Sequence, residues 1–283
     1  MNGGVISMEN LNMIDGQLLP QIGFGTYKLN GAQGVHAIVN ALNQGYRILD
    51  TAYNYENEGT VGKAIERSHV SRDQIIVTSK LPGRYQDYDA ALTAIQESIY
   101  RLNVDYIDLY LIHWPNPRHN KYVEAWQAMI DAQKAGLIKS IGVCNFLPEH
   151  IEKLEKETGV LPTVNQIELH PYFNQQDMIE YHNKKGIITE AWSPLGRASE
   201  VIKDKDIAVI AEKYNKTIPQ IILRWHVQLG VVPIPKSTSI TRQIQNLNVF
   251  DFNLEVEDVE KINNLSQKDG RLKGQDPATY EEF

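Results

Sequence analysis

The sequence predicts an α/β fold, a (β/α)8 TIM barrel whose lower end is closed by an N-terminal β-hairpin. Three observations carry this prediction. Eight short apolar, β-branched runs recur along the chain, with helical segments between them. Parallel strands need crossover connections, so that alternation calls for a parallel sheet. An open doubly wound sheet should carry G-x-G-x-x-G after its first strand, and here Gly23 and Gly25 are followed by Lys28. Eight units in a chain of this length fit a closed barrel, read as one domain over residues 1–283.

The elements follow in order. Leu11–Ile14 and Gln17–Leu19 flank Asp15-Gly16, a type I′ hairpin signal placed to plug the barrel's N-terminal end. The eight strands are expected at Ile22–Gly25, Arg47–Asp50, Ile75–Ser79, Ile107–Ile112, Ile138–Val143, Val164–Ile167, Ile187–Ala191 and Val231–Ile234. Between them, Ala91–Leu102 puts Leu92, Ile95, Ile99 and Leu102 on one helical face. Tyr122–Ala135 gathers Val123, Trp126, Met129 and Ile130, with Gly136 as the residue that ends the helix. Pro219–Leu229 ends at Gly230 in the same way, and the long gap before the eighth strand holds two helical patterns.

Composition excludes several function classes. The net charge of −7 argues against a broad nucleic-acid or anionic-membrane surface. A hydrophobic share of 42% supports a large core. A lone cysteine, Cys144, excludes an internal disulfide framework and a Cys-cluster metal site. The first ten residues lack a basic and an apolar leader region, and no run approaches the roughly 18 apolar residues of a membrane span. The expectation is a cytoplasmic protein without nucleic-acid or membrane partners.

Barrel active sites form where the strands end. Those ends hold Asp50 with Tyr53 and Tyr55 beyond it, then Lys80, His113-Trp114, Cys144-Asn145, Gln166 with Glu168 and His170, Trp192-Ser193, and Lys236-Ser237. Alone, Asp50 reads as a helix cap, Lys80 as a solvated loop lysine, His113 as a core histidine and Tyr55 as a rim aromatic. Asp, Lys and His on three consecutive strand ends read instead as a pocket. A lysine about 4 Å from an aspartate gains on the order of 4 kcal/mol at an effective dielectric near 20. A phenol beside that ammonium is expected to have its pKa drawn down from about 10, making Tyr55 a general acid for a carbonyl oxygen. His113 can orient the same carbonyl.

Rival chemistries read less well. His113, His170 and His182 show neither His-x-His nor H-E-x-x-H spacing, so no metal site is expected. No G-x-S-x-G elbow is present. A Schiff-base lysine at position 80, as in a barrel aldolase, stays open. The segment Val232–Ser239 leads into a helix containing Arg242, Gln245 and Asn246. Lys236 and Arg242 surround a helix N-terminus that favours an anion, with Ser237, Thr238 and Ser239 adding hydroxyls.

The chain resembles the aldo-keto reductases over essentially its whole length. The resemblance lies in GYRILDTAYNYENEGTVGKAI (45–65), SKL (79–81), LYLIHWP (109–115), IGVCNF (141–146), VNQIELHP (164–171), EAWSPLG (190–196) and IPKSTSITRQIQN (234–246). It implies a barrel that binds NADPH at its mouth and reduces carbonyls by hydride transfer. Asp50, Tyr55, Lys80 and His113 match the family tetrad: Tyr55 the acid, Lys80 lowering its pKa, Asp50 anchoring Lys80, His113 directing the carbonyl. It further implies that Asn145 and Gln166 hold the carboxamide and Trp192 stacks on the nicotinamide. Ser193 and Leu195 line the pyrophosphate path, and Gly25 and Thr26 lie near the ribose. Lys236, Ser237, Thr238 and Arg242 hold the 2′-phosphate, with Gln245 and Asn246 at the adenine. Arg242 favours NADPH over NADH, since a guanidinium pairs bidentately with phosphate.

Three features depart from the family pattern. Cys144 stands where a serine is usual, and Tyr27 where many relatives have tryptophan. The loop 116–121 and the tail after Ser266 are short, as in the prokaryotic branch that reduces 2,5-diketogluconate, methylglyoxal and other small aldehydes or ketones. Tyr27, Tyr53, Trp114, His113 and the tail from Lys268 to Phe283 are expected to shape the substrate pocket. The family default is a monomer. A redox-sensing regulatory subunit with little turnover is the alternative reading.

Overall fold

The structure is a computed structural model that describes residues 10–283; the leader reading concerns residues mostly outside that range. Two short antiparallel strands, β1 (Asn10–Asn12) and β2 (Leu18–Pro20), form the expected hairpin. Its turn is not type I′: Gly16 has φ 85°, but Asp15 stays out of the left-handed region. Met13 N donates to Gln17 O and Gly16 N to Met13 O, each at 2.9 Å, a three-residue loop that needs only one left-handed residue.

Eight parallel strands follow: β3 (Phe24–Gly25), β4 (Ile48–Asp50), β5 (Ile76–Leu81), β6 (Ile107–Ile112), β7 (Ile138–Cys144), β8 (Val164–Glu168), β9 (Ile188–Trp192) and β10 (Val232–Pro233). They pair in sequence order. The sheet closes on itself where Gly23 N and Gly25 N donate to Pro233 O and Pro235 O, both at 3.0 Å. β10 is shorter than expected because Pro233 and Pro235 have no N–H to give a ladder.

The helices are α1 (Gly31–Gln44), α2 (Glu58–Arg67), α3 (Tyr88–Leu102), α4 (Tyr122–Lys134), α5 (Pro148–Thr158), α6 (Gln176–Lys185), α7 (Lys205–Tyr214), α8 (Ile218–Gln228), α9 (Ile240–Leu247) and α10 (Val256–Asn263). Gly136 and Gly230 follow α4 and α8 with φ near 75°, as their sequence positions implied. Among the described residues no helix is long and apolar enough to cross a membrane.

Side-chain alternation divides each strand between two cores. Outward residues such as Leu49, Val77, Tyr110 and Val143 pack under the helices with Ile38, Leu42, Ile95 and Trp126. Inward residues Ile48, Leu109, Leu111, Val164 and Val232 meet Met13 and Leu19 of the hairpin. Asp15 Oδ2 also accepts from Ser140 Oγ at 2.6 Å, fastening the plug to β7. The same alternation, two residues further along, puts Asp50, Lys80, His113 and Gln166 at the opposite end.

Candidate active site

Asp50 ends β4 and Lys80 lies near the end of β5, one strand across. Lys80 Nζ is 2.7 Å from Asp50 Oδ1, and both side chains are at least 95% removed from solvent. The ammonium also donates to Thr51 O at 2.8 Å. Burial disfavours its charge, but Asp50 and Tyr55 outweigh that and hold Lys80 protonated well beyond the normal range. An amine held this way is not a nucleophile, so the structure does not support the Schiff-base reading.

Tyr55 stands on a single 3₁₀ turn, Tyr53–Tyr55, directly after β4. Lys80 Nζ lies 5.1 Å from its ring centre, close enough for the ammonium to favour the ionised phenol. The expected fall in pKa does not occur. Burial pushes the phenol up to about 12; Lys80 pulls it down and Asp50 pushes it up further. Desolvation wins because the ionised phenol would lose its water, and the Asp50 carboxylate offsets part of what Lys80 gives back. Tyr55 therefore keeps its proton at neutral pH, which is the state a donor needs.

His113 follows β6 and meets the Tyr55 ring edge-on, with ring centres 5.9 Å apart. Its Nδ1 is 2.7 Å from Glu282 Oε1, out of line with the ring N–H direction. Asn145 Nδ2 donates to His113 O at 3.0 Å, and Asn145 Oδ1 accepts from Trp192 Nε1 at 2.7 Å. Asn145 takes φ 59°, a left-handed conformation asparagine tolerates, and so turns back across the mouth. Gln166 Nε2 donates to Asp50 Oδ2 at 2.7 Å and Glu190 Oε2 at 2.8 Å. Both amide hydrogens are thus engaged, and Gln166 Oε1 is the atom left to accept.

The anion end is equally defined. Ser239 caps α9, its hydroxyl accepting from Arg242 N at 3.4 Å. Ser237 Oγ accepts from Ser239 N at 3.0 Å. Lys236, Thr238 and Arg242 are exposed, and neither Lys236 nor Arg242 has a carboxylate partner among the described residues. Two unpaired cations at a capped helix N-terminus suit a phosphate. Ser193 and Leu195 sit in the loop after β9, where Arg197 Nε donates to Ser193 Oγ at 3.2 Å. Gln245 is half-buried and Asn246 buried on α9. A Cβ on Gly25 would come within 3.3 Å of Ile234 O, a tight fit at the barrel seam.

Other expected residues have different roles. Thr26 is fully buried, with both N–H and hydroxyl donated to Asp50 O, so it braces the catalytic strand. Tyr53 does not join Tyr55: its hydroxyl lies 2.6 Å from Arg101 Nη2, and its ring lies edge-on to Tyr85. It lines a separate cleft of about 430 Å³ with Arg84, Tyr85 and Arg101. The cationic side chains beside it draw the Tyr53 ring outward. Tyr27 does flank the mouth, edge-on to Tyr55 at 5.0 Å. Trp114 packs against Tyr280 of the tail, with ring centres 4.4 Å apart. Cys144 is buried, and burial pushes its thiol well up, which disfavours the reactive thiolate.

Two site residues were not singled out from sequence. Glu190, fully buried on β9 beside Gln166, is pushed up to about 7 by burial and then by Asp50. A glutamate inside the apolar run Ile188–Trp192 was the available signal. Glu282 lies in the tail 268–283 that was expected at the pocket, but nothing local marks which tail residue meets His113.

Comparison with known proteins places this geometry. The aldo/keto reductase family model matches residues 21–267. The chain is 48% identical over 277 residues to 2,5-diketo-D-gluconic acid reductase B of Corynebacterium sp., covering 98% of this chain and 99% of that one. It is 44% identical over 271 residues to methylglyoxal reductase DkgA of Escherichia coli K12, covering 95% and 97%. Among solved structures, a mutant of Gox0644 in complex with NADPH superposes with a TM-score of 0.92 at 42% identity, covering 97% of this chain and 99% of that one.

Proposed function

The chain belongs to the aldo/keto reductase family, and from that premise we infer that Tyr55, Lys80, Asp50 and His113 reduce small aldehydes and ketones at the barrel mouth. The protein is an NADPH-dependent oxidoreductase, and its reaction is carbonyl reduction. One observation carries the residue assignment. A protonated phenol, Tyr55, touches an ammonium, Lys80, that a buried aspartate holds 2.7 Å away, in a pocket that His113 also faces.

NADPH, when bound, supplies the hydride. The residues present fit it: Lys236 and Arg242 are unpaired cations for a phosphate, and Gln166 Oε1 and the remaining amide positions of Asn145 suit a carboxamide. As hydride reaches the carbonyl carbon, charge develops on oxygen and Tyr55 delivers its proton there. Lys80 then lies against the phenolate it leaves, stabilising it in a pocket of low dielectric. Asp50 keeps Lys80 in place, and Gln166 keeps Asp50 in place. His113 donates to the same oxygen from the mouth side.

The substrate reading is small α-dicarbonyls and keto-sugars, supported by the names of the relatives and by a mouth narrowed by Tyr27, Trp114 and the tail. Initial rates of NADPH oxidation across methylglyoxal, 2,5-diketogluconate and simple aldehydes test it. Turnover concentrated on dicarbonyls is expected; tight NADPH binding with no oxidation by any of them would point to the regulatory alternative.

A further inference from the structure

We propose that Glu282 is a positioning residue for carbonyl reduction, turning His113 Nδ1 towards the tail so that Nε2 is the nitrogen that meets the carbonyl oxygen. The inference rests on the role given to His113 above. The carboxylate is firmly seated. Its Oε1 accepts from Asn54 Nδ2 at 2.8 Å and its Oε2 from Gly83 N at 3.0 Å. Asn116 clamps the backbone, donating from Nδ2 to Glu282 O at 2.7 Å and accepting Glu282 N at 3.0 Å. Asn54, Gly83 and Asn116 lie in the loops after β4, β5 and β6, so one tail residue ties three adjacent strand ends. The seat leaves no room for a side chain at position 83, where a Cβ would fall 2.2 Å from Asn116 Nδ2 and 2.3 Å from Glu282 O.

The protonation argument follows from the donor rules. A carboxylate only accepts, and a bare ring nitrogen 2.7 Å from its oxygen would repel it, so Nδ1 is the nitrogen placed to carry a hydrogen, although its N–H points off the line to Oε1. Nε2 has no hydrogen-bond partner among the described residues, which leaves it free for substrate. A ring that also donates from Nε2 holds both protons. The charged and titratable groups around the ring are Glu282 from the tail, Tyr55 from the β4 loop and Lys80 behind Tyr55. Glu282 stays ionised: burial opposes its charge, but His113, Asn54 and Gly83 N together hold it below the usual carboxylate range.

The test uses the full chain without cofactor at neutral pH, with imidazole ¹⁵N shifts read by NMR and His113 assigned from a His113→Asn control. Nδ1 should carry a proton in the parent protein, and Glu282→Gln should move that resonance. In turnover, Glu282→Gln should lower kcat by about tenfold or more and leave NADPH affinity within about twofold. Gly83→Ala, which displaces the tail but keeps the carboxylate, should give the same kcat loss. Thermal melting confirms that each variant is folded. Identical His113 shifts in the parent and Glu282→Gln, or an unchanged kcat in that variant, would overturn the proposal. The NMR readout needs no turnover, so it stands or fails apart from the assignment of Tyr55.

Discussion

The two ends of the barrel are built from the same strands and do opposite things. At the lower end, Ile48, Leu109, Val164 and Ile188 close around Met13 and Leu19. At the mouth, Asp50, His113, Gln166 and Trp192 continue the same inward faces two or four residues later. The lower residues are apolar and need only volume. Above them runs a linked polar series, buried from Glu190 through Gln166 and Asp50 to Lys80 and half-buried at Tyr55. The barrel thus pairs a stabilising base with a costly catalytic rim, and a single change should affect either stability or chemistry according to its height along a strand.

The base should give the largest energetic effect. Leu19 is fully buried in the plug, and Leu19→Ala should lose about 2–5 kcal/mol of stability through the cavity it leaves. Denaturant melts measure that loss, and kcat of the folded protein at low temperature should not change. A fall in kcat to match would break the separation between the two ends.

At the rim, Glu190 should make stability depend on pH. Its folded pKa is about 7 against an ordinary 4.5, so the folded state holds a proton that the unfolded chain has released. Stability from this group is full at low pH and declines as pH rises from about 4.5 to 7, by about 3 kcal/mol at most. Glu190→Gln should therefore gain stability over the parent at pH 8 and gain little at pH 4. A constant difference across that range would show that the buried carboxyl is already ionised in the folded protein.

The smallest effect is expected furthest from the reacting atoms. Arg242→Ala should weaken NADPH binding by about 1.5–3 kcal/mol and leave NADH nearly unchanged, as measured by fluorescence titration. Equal weakening of both cofactors would remove the 2′-phosphate assignment.

Much of this was legible in the sequence because it is local or periodic. The eight strands, the helix ends at Gly136 and Gly230 and the tetrad positions all follow from alternation and motif. What was not legible depended on tertiary context. The pKa of Tyr55 was read from one neighbour, Lys80, while burial and Asp50 decide it. Tyr53 shares a 3₁₀ turn with Tyr55, yet Arg101 of α3 holds its hydroxyl away from the catalytic cluster. The hairpin dipeptide Asp15-Gly16 allows more than one loop length, and the hydrogen bonds of Met13 select the longer. Glu282 is remote in sequence from everything it touches.

The central claim is that the rim is a proton-donating machine built around Tyr55. Tyr55→Phe removes one oxygen and leaves the ring contacts with Tyr27 and His113 in place. Single-turnover and steady-state rates of aldehyde reduction, with NADPH affinity measured in parallel, test the claim most directly. The account predicts a kcat at least about 10²-fold lower, with NADPH affinity nearly unchanged. Turnover close to that of the parent would contradict it and move the acid role to His113 or Lys80.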